Sequence, residues 1–266
     1  ADVTIASLTI GGASTLTLQK NLTITGNADV NNLATITYTA GTAANLTVNG
    51  TLTVYSGGTI TCPYTSLTSP DTGGSGRTIT AANIEIKTGG ILKADGLGFP
   101  AGQGPGIPTG SYSGGSYGGK GGDYYAAGGF GPTYGSLTNP IALGSGGSQD
   151  IGGGAIIISA TGTVTVNGTL SANGLSGSGG SGSGGSVNIT TGTLAGAGTI
   201  SANGGAASGS RGGGGGGRIS LNGVTTDNFA GTLQVNGGAT GTQGRAGTIY
   251  FNAARRANLT LGGSGN

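Results

Sequence analysis

A repeat of about 31 residues constrains this chain more than any other feature of its sequence. The glycines that mark equivalent points of successive copies are Gly154, Gly185, Gly217 and Gly247. Each copy contains a strand, a turn, a second strand, an Asn-Gly pair and a glycine-rich stretch, and an earlier, diverged copy ends at Asp95-Gly96. Repeats of this length stack on one another to bury a shared core, so the pattern predicts a thin, repetitive architecture rather than a thick globular one.

Alternation of apolar and polar residues predicts that the repeats form strands. A period of two is typical of half-buried β-strands, and no segment shows the 3.6-residue apolar stripe of a helix. Asn-Gly and Asp-Gly pairs tolerate positive φ, so we expect them at corners or tight turns. The chain is therefore predicted to be all-β. The apolar positions of the late strands are Ile156, Ile158, Val164, Val166, Val187, Ile189, Ile219 and Leu221.

Residues 1 to about 65 show a tighter rhythm of short alternating strands, without glycine tracts. Strands that recur on each turn of a coil lie about 4.8 Å apart. We therefore predict a parallel β-solenoid (β-helix), right-handed as parallel crossovers generally are. Its N-terminal rungs occupy 1–96 and its C-terminal glycine-rich repeats occupy 153–266. The early residues predicted to face inward are Leu16, Leu18, Leu22, Ile24, Ile36, Leu46, Val48, Leu52 and Val54.

Between these parts, residues 97–152 form an insertion rich in glycine, tyrosine and proline. Such a composition indicates irregular or polyproline-II-like structure rather than another rung. Glycines at this density can also pack backbone against backbone, and we expect a packed loop domain pinned by its aromatic residues. The tyrosines of the insertion are Tyr112, Tyr117, Tyr124, Tyr125 and Tyr134.

Composition excludes several classes of function. Of 266 residues, 65 are glycine, none is histidine and 7% are charged. Without histidine, neither a Ser-His-Asp nor a Cys-His arrangement can be built. Ten Lys and Arg against eight acids are too dilute to neutralise the phosphates of a nucleic acid, and no apolar run is long enough for a membrane helix. We therefore expect no enzyme, no cofactor, no nucleic-acid partner and no transmembrane segment.

Two groups of acidic residues are the candidates for a catalytic or metal site. Glu85 and Asp95 bracket one predicted turn beside Lys87 and Lys93, and paired carboxylates can hydrolyse glycosides. The alternation in this segment instead favours solvent-facing strand positions for Glu85 and Lys87. Residues 118–123 match the nonapeptide pattern of calcium-binding β-rolls, but no tandem copy follows to complete a site. We therefore predict no catalytic residues and no metal.

Basic residues concentrate late in the chain. A guanidinium group can satisfy backbone carbonyl groups at the edges of a glycine tract. This structural role is favoured over the alternative, the binding of a polyanion. The residues concerned are Arg211, Arg218, Arg245, Arg255 and Arg256.

Two segments resemble the glycine-rich β-helical repeats of large secreted bacterial surface proteins and adhesins. They read GGAIIISATGTVTVNGTLSANG and RGGGGGGRISL. The resemblance covers about residues 82 to 250. It implies an exported, non-catalytic protein that acts at the cell surface in adhesion, matrix or filament formation. The chain begins at Ala1, as it would after removal of a signal peptide, and we expect a secreted, extracellular or cell-surface location.

A second resemblance concerns threonine. The tripeptides at 15–17, 35–37 and 163–165 read Thr-x-Thr and look like the flat faces of ice-binding solenoids. Threonine is also favoured on any exposed β surface. Ice binding would require the threonines to be in register over many rungs, with no charge on that face.

The two open ends of a solenoid lead to the main functional hypothesis. Unpaired end strands invite pairing with another chain, and contacts that do not close generate filaments. We expect a structural homopolymer that assembles head-to-tail into an extracellular filament or adhesive layer. The predicted interface residues are Val3, Ile5, Leu8, Ile10, Leu259 and Leu261. The alternative is a monomeric carbohydrate-binding adhesin module, with surface glycans bound by the tyrosines of the insertion, or an ice-binding solenoid.

Overall fold

The structure, a computed structural model, describes residues 1–68, 74–124, 129–239 and 241–251. These residues form twenty β-strands and no α-helix. In chain order, β1 to β20 are Val3–Ile5, Leu8–Ile10, Thr15–Leu18, Leu22–Ile24, Ala28–Val30, Thr35–Tyr38, Leu46–Val54, Thr59–Thr61, Arg77–Ile86, Ile91–Lys93, Ala155–Ala160, Thr163–Val166, Thr169–Ser171, Ser186–Thr190, Thr193–Gly196, Thr199–Ser201, Arg218–Asn222, Thr226–Phe229, Thr232–Gln234 and Thr248–Phe251.

The strands stack as a three-faced β-solenoid. Face A contains β1, β4, β11, β14, β17, β20 and the first halves of β7 and β9. Face B contains β2, β5, β12, β15, β18 and the second halves of β7 and β9. Face C contains β3, β6, β8, β10, β13, β16 and β19. All pairings between these strands are parallel, which confirms the predicted all-β parallel architecture.

Apolar side chains fill the interior in continuous rows from rung to rung. All eight apolar positions predicted for the late strands are buried. The early inward row is confirmed as well, although Leu16 on the first rung is only partly buried. On face C, for example, Ile36, Ile60 and Leu92 lie directly above one another and are fully buried. The period-two pattern therefore reports the inward face correctly because one face of each strand meets the core and the other meets solvent.

An amide ladder runs along the corner that follows face C. The Asp95 carboxylate accepts a hydrogen bond from the Asn173 backbone N–H at 2.6 Å. The side-chain oxygen of Asn173 accepts from the N–H of Asn203 at 2.7 Å, and that of Asn203 accepts from the N–H of Asn236 at 2.8 Å. Of these pairs, only the first contains a positive φ, at Gly96. The Asn-Gly pairs therefore lie at corners, as predicted, but the later pairs do not use positive φ, and their asparagine side chains join successive rungs instead.

A buried arginine, Arg77, closes one corner of the core and has no carboxylate partner among the described residues. Its guanidinium lies 4.9 Å from the centroid of the Tyr38 ring. Burial lowers the pKa of Arg77, and its N–H groups are satisfied by backbone oxygens. The carbonyl acceptors are those of Thr39, Thr42, Ala44, Pro63 and Tyr64. Arg77 was not predicted to be buried, because its position at the start of a strand resembles an ordinary exposed one.

The glycine tracts form a second layer with a three-residue period. Each backbone N–H in 212–217 donates to another segment. In order, the acceptors are the carbonyl groups of Tyr112, Thr242, Gly205, Gly115, Arg245 and Ala202. Every third N–H therefore faces the same neighbour, namely 112–115, 242–245 or 202–205. Three residues per turn without internal hydrogen bonds is the geometry of a polyproline-II helix, so this layer is a bundle of such helices.

Only glycine fits in the middle of this bundle. At each of the six positions 212–217, an added Cβ would overlap a backbone carbonyl oxygen of a neighbouring segment. Residues 181–186 show similar three-way bonding, with N–H groups donated to 212–215, 172–175 and to residues of 145–154. The bundle thus hydrogen-bonds part of 97–152 to the tracts of the later repeats. No strand lies between Lys93 and Ala155 in the described residues.

Candidate functional site

Two tyrosines of the insertion hold the bundle against face A. Tyr117 is fully buried, and its hydroxyl lies 2.7 Å from the Ser186 hydroxyl on β14. The Tyr134 hydroxyl donates to the Leu143 carbonyl at 2.5 Å, while the Tyr134 carbonyl accepts two hydrogen bonds from Arg218. Burial raises the pKa of Tyr117 to about 12 and raises the pKa of Tyr134 well above its usual value. Tyr117, which the sequence predicts to be a contact residue, is therefore not placed to contact a ligand at the surface.

The remaining tyrosines of the described insertion lie in a loop cluster at one end of the bundle. The Tyr112 and Tyr124 rings meet edge to face, with centroids 5.5 Å apart. The Arg211 guanidinium lies 4.8 Å from the centroid of the Tyr112 ring. Both rings are half-buried, so part of each meets solvent. Tyr125 lies outside the described residues. The loop cluster therefore combines aromatic surface with a positive charge.

A cleft opens beside this cluster. Its volume is about 470 Å³, and its lining residues are Lys120, Gly121, Gly122, Asp123, Phe130, Thr242, Gln243 and Arg245. The Lys120 ammonium lies 4.4 Å from the centroid of the Phe130 ring. The backbone N–H of Arg245 donates to the Lys120 carbonyl at 2.7 Å, which holds the two cationic segments side by side. This site was not predicted from the sequence, because Arg245 lies more than 100 residues beyond Lys120 and Phe130 along the chain.

Asp123, the acidic residue of the cleft, already has structural partners. Its carboxylate accepts from the Ser113 hydroxyl and from the Gly129 N–H, each at 3.0 Å. The side chain is 4% exposed. Glu85 is paired with Lys87 at 2.9 Å on face B, whereas Asp95 belongs to the amide ladder. Among the described residues, no three His, Cys, Asp or Glu side chains gather in a way that could hold a metal ion.

The first rung (β1–β3) presents a free edge. Each of its strands pairs with the second rung, and in the described chain none has a partner on the other side. Val3 is 50% exposed, and Ile5, Leu8 and Ile10 are only partly buried although they pack against the core. Leu259 and Leu261, the other predicted interface residues, lie outside the described residues. The structure therefore shows an incompletely covered core end at the first rung.

The threonine rows are regular over part of face C. Thr15, Thr35 and Thr59 are in register on three successive rungs, and so are the threonines two residues further along each strand. The next rung places Ile91 and Lys93 at these positions. The 163–165 tripeptide lies on face B, where Thr165 pairs with Glu85. The double row of threonines on face C is thus three rungs long and ends at the charge of Lys93, whereas a single row on face A runs through Thr4, Thr23, Thr47 and Thr80.

Comparison of the chain with protein-family models, with curated proteins and with solved structures finds no significant match. The described residues contain no helix of sufficient length and hydropathy to span a membrane. Function is therefore inferred from the geometry of the first-rung edge and of the loop cluster.

Proposed function

We propose that this protein is a structural component that self-associates through its solenoid ends, forming an extracellular filament or adhesive layer. The free edge of the first rung carries the proposal. Three short strands there offer unpaired N–H and C=O groups beside apolar side chains that a further rung would cover. Covering the exposed half of Val3 would contribute about 1 kcal/mol.

The two ends of the described coil are compatible in shape. The first rung has one strand on each of the three faces, and so does the rung formed by β17, β18 and β19, beyond which the described residues add only β20, stacked on β17 of face A. Within the coil, rungs with this same arrangement stack in parallel register. A second copy can therefore continue the ladders of the first by adding a rung at the usual strand spacing of about 4.8 Å.

Sedimentation velocity and negative-stain electron microscopy of the full chain test this proposal. The diagnostic variant is Val3→Lys, which places a charge at the inward edge of the first rung. Its matched control is Thr4→Lys, on the same strand but at an exposed, outward position. We expect wild type and Thr4→Lys to form filaments and Val3→Lys to remain monomeric with an unchanged circular dichroism spectrum. A monomeric wild-type protein at all concentrations would overturn the proposal.

A glycan-binding module is a second candidate, favoured by the exposed parts of Tyr112 and Tyr124 in the loop cluster. Aromatic faces suit the C–H faces of sugars. In this case Tyr124→Ala lowers glycan binding and leaves assembly intact. If the substitution instead reduces assembly and leaves glycan binding unchanged, these tyrosines serve subunit contact.

A further inference from the structure

The cleft beside the loop cluster has the size of a small-molecule site. Its volume of about 470 Å³ falls within the range of ligand pockets. It is formed by residues 120–123 and Phe130 on one side and by residues 242–245, more than 100 positions further along the chain, on the other. Backbone hydrogen bonds fix two of these walls, because the Arg245 N–H donates to Lys120 and the Gly122 N–H donates to Gly213. The cleft is therefore a built feature of the bundle end.

The charge that the cleft presents to solvent is positive. Lys120 and Arg245 are exposed, and neither forms an ion pair in the described part of the chain. Asp123 is buried, and both of its oxygens accept hydrogen bonds from the protein. The Lys120 ammonium is held over the Phe130 ring by a cation–π contact rather than extended into solvent. An anionic group entering the cleft would meet two prepositioned cations.

The other wall groups are suited to a polyhydroxylated ring. Phe130 is 40% exposed and offers apolar surface. Thr242 and Gln243, both exposed, offer a hydroxyl and an amide that can exchange hydrogen bonds with sugar hydroxyl groups. The planar guanidinium of Arg245 can hold a carboxylate through two parallel hydrogen bonds. A bare inorganic anion would leave most of this volume unfilled.

We propose that this cleft binds an anionic sugar residue, with its carboxylate or sulfate on Lys120 and Arg245 and its ring against Phe130. The inference rests on the second candidate function and narrows it to acidic glycans. It also places the binding site in the cleft next to the tyrosines rather than on the tyrosine rings alone.

Isothermal titration calorimetry of the full-length chain tests this inference. The probes are a galacturonic acid trisaccharide and the neutral galactose trisaccharide, each at low salt and at physiological ionic strength. We expect the acidic probe to bind more tightly than the neutral one, with an affinity that falls as salt is added. Because a charge-assisted bidentate contact is lost, Arg245→Gln is expected to weaken binding about tenfold or more.

Lys87→Gln is the matched control. Like Lys120, Lys87 lies near an aromatic ring, with its ammonium 5.4 Å from the centroid of Tyr55, but its charge is neutralised by Glu85. Equal binding of both probes would overturn the preference for acidic sugars and leave the glycan-binding candidate standing. If neither probe binds, both the preference for acidic sugars and the glycan-binding candidate are overturned. An unchanged affinity in Arg245→Gln, or an equal loss in Lys87→Gln, would refute the placement in this cleft.

Discussion

Substitution of single glycines by alanine tests whether the glycine tracts form the closely packed bundle seen in the structure or an ordinary flexible loop. Gly214 lies in the middle of the bundle, where an added Cβ would overlap the carbonyl group of Gly182. Real Cβ atoms do not approach other heavy atoms closer than 3.0 Å, so the two segments would have to move apart by about 1 Å. Both atoms belong to the backbone, and no side-chain rotation can relieve the overlap.

The cost of Gly214→Ala follows from the hydrogen bonds across that contact. The Ser181 N–H donates to Gly212 at 3.1 Å and the Gly184 N–H donates to Gly215 at 2.9 Å. A separation of about 1 Å lengthens both beyond hydrogen-bonding range. A buried group that loses its partner costs about 1–3 kcal/mol, so we expect Gly214→Ala to lower the free energy of unfolding by about 2–6 kcal/mol.

Gly192→Ala is the matched control. Its added Cβ would meet only the Gly162 carbonyl oxygen, at an ordinary 3.7 Å, and its φ is not in the left-handed region. The substitution reduces the entropy of the unfolded chain, so the change in stability is expected to be neutral or stabilising by up to about 1 kcal/mol. Gly209→Ala tests the effect of backbone strain alone, because the φ of Gly209 is +58° and an added Cβ would meet no atom within 4 Å. We expect this substitution to lower the free energy of unfolding by about 1–2 kcal/mol.

Urea unfolding followed by circular dichroism measures these differences, with the midpoint and the slope compared for each variant. The expected order of stability is Gly192→Ala, then Gly209→Ala, then Gly214→Ala. If Gly214→Ala and Gly192→Ala unfold at the same midpoint, the backbone contact that defines the bundle does not exist in solution, and the reasoning fails.

Three further predictions concern the solenoid. Asn203→Ala removes the acceptor for the Asn236 N–H and should lower the free energy of unfolding by about 1–2 kcal/mol, measured by thermal or urea unfolding. An unchanged free energy of unfolding would refute the amide ladder. Arg77→Met leaves buried carbonyl groups without a donor and should cost at least about 3 kcal/mol by the same assay, whereas a stabilised variant would show that the guanidinium is dispensable. Burial raises the pKa of the Cys62 thiol to about 12 from its usual value near 9. The unfolded chain therefore releases this proton first, so stability is fully present below about pH 9 and falls as pH rises towards 12. Cys62→Ala should therefore reduce the fall in the free energy of unfolding between about pH 9 and pH 12. If the variant shows the same pH dependence as wild type, the Cys62 thiol is not its cause.

The period-two alternation of the sequence by itself determined which side chains fill the solenoid interior. Alternation is a local property, because neighbouring side chains of a strand point to opposite faces whatever else the chain does. Ile156, Val187 and Ile219 could therefore be placed inside from their sequence positions, and the fold stacks them on one another.

Only the tertiary structure decided how the glycine tracts are arranged and what lies at their ends. Glycine has no side chain, so a tract carries no pattern that specifies which neighbour its N–H groups meet. The choice arises from backbone contacts between distant segments such as 112–115 and 212–217. For the same reason the cleft at Lys120 and Arg245 was invisible in the sequence: its walls come together only when the bundle forms.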